Sequence, residues 1–117
     1  LQQSSRRSQE RESEAMLAAA RSRREASTNQ VLAELAENLA GIDGARRIEA
    51  LATDDLLPEA ELTFKAALAG YENGKLDFAT LLDAQRQIRQ ARQEQIKAQA
   101  EGQARLAEIE RLLGEDL

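Results

Sequence analysis

From Phe78 to Leu113 the apolar and small residues return at alternating intervals of three and four: Leu81, Ala84, Ile88, Ala91, Gln95, Ala98, Gly102, Arg105, Ile109, Leu112. This heptad-like spacing is the mark of a helix that lays one narrow stripe against a partner helix. It predicts a return helix over about 78–113, roughly 54 Å long at 1.5 Å per residue, with Gly114 as its stop. A second stripe runs through Leu32, Leu35, Leu39, Ile42, Ala45 and Ile48, and helical spacing resumes at Leu57, Ala60, Phe64, Ala67, Leu68 and Tyr71. A long first helix over about 5–72 follows, with residues 1–14 too polar to hold their end firmly. Gly41 and Gly44 fall inside its stripe, where each costs about 1 kcal/mol relative to Ala and marks a bend, a break or a close neighbour. Pro58 lacks a backbone donor and crowds the carbonyl of Asp54, so a kinked continuation is expected at 54–58.

Between the two patterns lies the reversal, Gly70–Gln85. Asn73-Gly74 suits a helix end, because Gly takes the left-handed conformation without steric penalty. Asp77 is placed to cap the next helix, its carboxylate accepting from unpaired backbone N–H groups. So short a connection, 73–77, forces the helices to lie antiparallel. The fold class read from the pattern is all-α, a long antiparallel helical hairpin of coiled-coil type, forming a single segment over 1–117. Pairing about Gly74 sets 78–113 against about 34–71 and leaves most of residues 1–33 without a partner in the chain, a marginal situation for a helix in water.

Composition sharpens this. The chain is 42% hydrophobic and 32% charged but only 3% aromatic, an Ala/Leu/Glu/Gln/Arg-rich balance typical of long helices. Much of the apolar share is Ala, so the expected form is elongated with a thin contact seam. Gln95 and Arg105 inside the stripe are polar residues that reach solvent or select a partner. The net charge of −5 is uneven: residues 1–30 hold six Arg and four Glu, leaving −7 on the remainder. An acidic chain without aromatic platforms is a poor nucleic-acid binder, and Arg21, Arg23 and Arg24 read as a solvated face. No apolar run is long enough to span a bilayer as a helix, and the start at Leu1 reads as a piece excised from a longer protein.

Catalytic chemistry is missing from the sequence. There is no His and no Cys, Met16 stands alone, and the sequence-neighbouring carboxylates Asp54/Asp55 and Glu108/Glu110 cannot converge on one point of a helix. The expectation is a non-enzyme with no cofactor and no metal site.

At the reversal the residues fall into a spaced set: Tyr71-x-x-Gly74-Lys75-x-Asp77-Phe78-x-x-Leu81-Leu82-Asp83-Ala84-Gln85-Arg86, preceded by Leu56-Leu57-Pro58-x-Ala60-Glu61 and followed by Leu106-x-x-Ile109-Glu110-Arg111-Leu112-Leu113-Gly114. This set resembles the C-terminal half of the periplasmic helical domain of TolC-like outer-membrane efflux factors. Its Leu-Leu-Pro-x-Ala-Glu approach is most similar to the heavy-metal cation branch, of CusC and CzcC type. The resemblance covers the chain well from about Glu34 onward and the first thirty residues only in helical character.

The resemblance implies a homotrimer whose barrel continues into an α-barrel tunnel of helices in the periplasm of a Gram-negative envelope. The tunnel works with a periplasmic adaptor protein and, through it, an inner-membrane RND transporter. Asn73, Gly74 and Lys75 then match the tip that meets the adaptor, with Asn73 standing where many members have Val. Read alone, Gly74 is a residue that turn geometry requires. Asp83 matches an acidic position lining the tunnel entrance, with Asp77 adding charge beside its capping role; Thr80 stands at a position acidic in some members. Two other readings remain open from sequence: the coiled-coil hairpin of a periplasmic adaptor, and a structural coiled-coil spacer.

Overall fold

The computed structural model describes residues 1–115, all-α throughout. Helix α1 covers Gln2–Leu51, a single π-helical turn covers Ala52–Leu56, α2 covers Leu57–Glu72, and α3 covers Phe78–Glu115. The chain divides into two units, Leu1–Ala36 and Glu37–Leu117.

The first unit is helical from Gln2, where Ser4 Oγ donates to the Leu1 carbonyl at 2.9 Å and ties the end down. Every residue from Leu1 to Gln30 is exposed, Met16 and Leu17 among them.

The second unit is the antiparallel hairpin. All ten positions of the α3 stripe, Leu81 through Leu112, are buried or half-buried. Their period carries the packing: each α-helical turn returns a small or apolar residue to the partner. Seven of the ten buried apolar residues among those described are Ala, so the seam is narrow and buries little area per turn. Beside the reversal, Ala67, Leu81 and Ala84 form a cluster covered by Phe64 and Leu68. Farther along, a Cβ at Gly102 would lie 3.8 Å from that of Ala45, ordinary contact between closely packed backbones.

The α1 stripe differs from the one the Leu and Ile residues predict. The residues turned to the seam are Asn38, Ile42, Ala45, Glu49 and Ala52, whereas Leu39 and Ile48 are 54% and 50% exposed. Asn38, at 7% exposure, is the buried polar member of this stripe, and Glu49 is its half-buried charged one. Small residues hold the contact line where Ala45 faces Gly102, a Cβ on which would lie 3.8 Å from that of Ala45.

Polar residues in the seam bond across it. Gln95 Nε2 donates to Thr53 Oγ1 at 2.8 Å, Gln99 Nε2 to Glu49 Oε1 at 2.8 Å, and Arg105 Nη1 to Asn38 Oδ1 at 3.3 Å. Arg105 is also held by Glu101 Oε1 at 2.9 Å. Gly41 makes room for it: a Cβ there would meet Arg105 Nε at 2.8 Å. Gly41 is thus a close approach, and the helix passes through both Gly41 and Gly44.

At Pro58 the interruption is a change of hydrogen-bond pattern. Leu51, Leu56 and Leu57 all keep right-handed helical dihedrals, and Leu57 N–H bonds to Ala52 O, five residues back. Pro58 has no N–H to offer where the pattern returns to four. At the other end Gly114 does not stop α3, which runs to Glu115.

Candidate functional site: the capped tip of the hairpin

The reversal between α2 and α3 is built entirely from local bonds. Gly74 has φ +68°, the left-handed conformation that glycine adopts without penalty. Its N–H bonds to Tyr71 O at 3.0 Å, and the Lys75 N–H reaches Gly70 O at 2.8 Å. These two bonds define a Schellman motif with Gly74 just past the cap and Asn73 as the cap. Leu76 N–H also reaches Gly70 O, at 3.2 Å.

The Leu76 side chain folds back onto Gly70. A Cβ at position 70 would sit 2.7 Å from Leu76 Cδ1 and 2.8 Å from its Cγ, so glycine at 70 gives the Leu76 side chain its place, while glycine at 74 serves the backbone. Sequence reasoning gave Gly70 no role; the short Gly-x-x-x-Gly interval ending the helix was the available signal.

Asp77 then opens α3. Its Oδ1 accepts from Thr80 N at 2.9 Å and from Thr80 Oγ1 at 2.6 Å. The Thr80 hydroxyl first, and then the Thr80 backbone N–H, hold the Asp77 carboxyl below its ordinary value of 3.8. Thr80, noted in sequence only as a non-acidic substitution, is therefore the capping partner.

What this geometry presents is a convex, solvated surface. Every residue from Tyr71 to Thr80 is exposed. The Tyr71 and Phe78 rings pair across the turn with centroids 5.9 Å apart and planes tilted by 54°, which is favourable aromatic geometry. Together with Leu76 they add an apolar component to the tip that the Asn73-Gly74-Lys75 reading missed.

Asp83 lies outside this cluster. It is exposed and pairs with Arg86 Nη1 at 3.2 Å, a surface ion pair of small energetic weight. It lies six positions on from Asp77, which places the two about 120° apart around the helix. The structure therefore brings Asn73, Gly74, Lys75 and Asp77 into one turn and sets Asp83 on another face.

Among the described residues no group of three or more His, Cys, Asp or Glu is placed to hold a metal ion, and no helix is long and apolar enough to cross a membrane. The grooves along the hairpin are open ones, such as the space of about 340 Å³ bordered by Leu56, Glu59, Ala60 and Ala91.

A paired-helix rod with a doubly capped, solvated tip is the architecture of a helical extension that meets other helices side by side or end to end. The chain belongs to the outer membrane efflux protein family, whose model matches residues 1–115. No curated protein and no solved structure is significantly similar to it. Members of the family are transport channels rather than enzymes, and the family implies a trimeric outer-membrane channel working with an adaptor and an RND pump. The hairpin is accordingly a helical part of an efflux channel of the outer membrane, which displaces the adaptor and spacer readings.

Proposed function

We propose that this chain is the periplasmic tunnel portion of a trimeric outer-membrane channel in a tripartite pump, and that the cargo is heavy-metal cations. The observation that carries the tunnel assignment is the family match over 1–115 on a hairpin whose reversal is fully exposed. Asn73, Gly74 and Lys75 form the surface that meets the adaptor, with Tyr71, Leu76 and Phe78 supplying apolar contact around them. The complete exposure of Leu1–Gln30 supports neighbours from other tunnel helices along that length. The cation assignment rests on the Leu56-Leu57-Pro58-x-Ala60-Glu61 resemblance and on charge.

Three copies of Asp83 around an entrance would raise the local concentration of cations through their summed field. Arg86 tempers that field, and Asp77 contributes from the tip edge while its carboxylate stays engaged by Thr80. Metal ions would pass this segment without being chelated, since soft-ion ligands are absent.

The test uses the full-length protein in cells. Gly74→Asp disturbs the tip backbone, and Asp83→Ala removes the entrance charge. At unchanged protein level both are expected to lower resistance to metal cations, with Asp83→Ala sparing neutral drugs. Unchanged resistance in Gly74→Asp contradicts the docking role; equal loss for cations and neutral drugs in Asp83→Ala contradicts the cation assignment.

A further inference from the structure

The seam residues of the first arm, taken in order, are Asn38, Ile42, Ala45, Glu49, Ala52, Leu57, Ala60, Phe64 and Ala67, each buried or half-buried. The intervals are four and three in alternation, with one exception: Ala52 to Leu57 is five. That step coincides with the π-turn, in which Leu57 N–H bonds to Ala52 O. On α3 the alternation from Leu81 to Leu112 has no exception. The first arm therefore carries one residue more than the seam can count, and a five-residue hydrogen-bonded turn takes it up.

The position of this turn is fixed by what the seam accepts. Were it nearer the chain start, Thr53 would replace Ala52 on the contact line; were it nearer the tip, Glu59 would replace Ala60. Ala52 is 0% and Ala60 5% exposed, leaving no room for either larger polar side chain. Thr53 instead stands at the edge and accepts from Gln95. Off the contact line the turn faces solvent: Thr53–Leu56 are exposed, and the groove of about 340 Å³ between Leu56, Glu59 and Ala91 adjoins it.

We propose that Ala52–Leu56 is a one-residue skip serving as the hairpin's built-in hinge, where the first arm changes hydrogen-bond pattern and bends while α3 stays whole. The arm yields here for three reasons. Its backbone bonding changes there from the four-residue to the five-residue pattern, Pro58 contributes no donor at the point of return, and the open groove leaves space for the arm to move into.

Hydrogen exchange and thermal unfolding of the full-length protein test this, with two single-residue deletions. Both deleted residues, Asp55 and Glu61, are exposed. Deleting Asp55 turns the interval of five into four and restores the alternation. Deleting Glu61 leaves the skip and shifts Phe64 and Ala67 off the seam. The expected results are faster exchange at Leu56, Leu57 and Glu59 than at the facing positions 88–95 in the unaltered protein, and about tenfold slower exchange at the first set after deletion of Asp55. Deletion of Asp55 is also expected to raise Tm, and deletion of Glu61 to lower it. A loss of Tm in the Asp55 deletion matching that in the Glu61 deletion would overturn the skip; exchange at Leu56–Glu59 no faster than at 88–95 would overturn the hinge.

Discussion

Asp77 shows how one side chain fixes where a helix begins. Its carboxylate accepts from the Thr80 hydroxyl and backbone N–H, and its pKa is depressed in consequence. A depressed carboxylate contributes stability that is fully present above its unfolded value and is lost as pH falls through the folded one. Asp77→Ala is therefore expected to lower Tm at neutral pH, with the gap to the unaltered protein narrowing as pH drops below 3.8. Asp77→Asn keeps an accepting oxygen and loses less; thermal melts across the acid range check both. The cap and Gly74 were legible in sequence because each depends on a few adjacent residues. Gly70 was not, since its requirement arises from Leu76 folding back on it. Gly70→Ala is expected to cost about 1–3 kcal/mol through overpacking. In the Leu76→Ala background the same change becomes close to neutral, as a double-mutant cycle by denaturant titration would show.

Among the elements, α3 was the most readable, because one unbroken heptad pattern faces one partner and all ten stripe positions pack as that pattern requires. The first arm misled for a physical reason. Its bulky residues Leu32, Leu39, Ile48 and Leu62 are all at least half exposed, and the buried positions of the hairpin contact on this arm are Ala and Asn38, flanked by half-buried Ile42, Glu49, Leu57 and Phe64. Where a helix carries apolar residues on more than one side, their summed pattern does not single out the side that faces a given neighbour. The π-turn was hidden for the same reason: Pro58 announced an irregularity, but the five-residue step is visible only once Ala52 and Leu57 are known to share the contact line. Gln95 and Arg105, flagged as polar intrusions, bond across the seam to Thr53 and Asn38 and fix the register of the two arms.

At the scale of the whole molecule, a seam built largely from Ala supplies little burial of its own, while large apolar side chains remain in solvent on both arms, Leu39, Leu62 and Ile96 among them. That imbalance is what a helical part of a multi-chain channel should show, and the family match agrees with it. The class of protein was legible from the spaced tip motif.

In the proposed function, residues 73–75 are the end of the hairpin that meets another protein. A single cysteine replacing Lys75 in the full-length protein gives a unique probe in this cysteine-free stretch. Cross-linking it in cells to the cognate periplasmic adaptor, beside Arg21→Cys as a control on the exposed first unit, is the direct measurement. An adaptor adduct at Lys75→Cys and none at Arg21→Cys is the predicted result; no adduct at Lys75→Cys, or an equal one at Arg21→Cys, would contradict it.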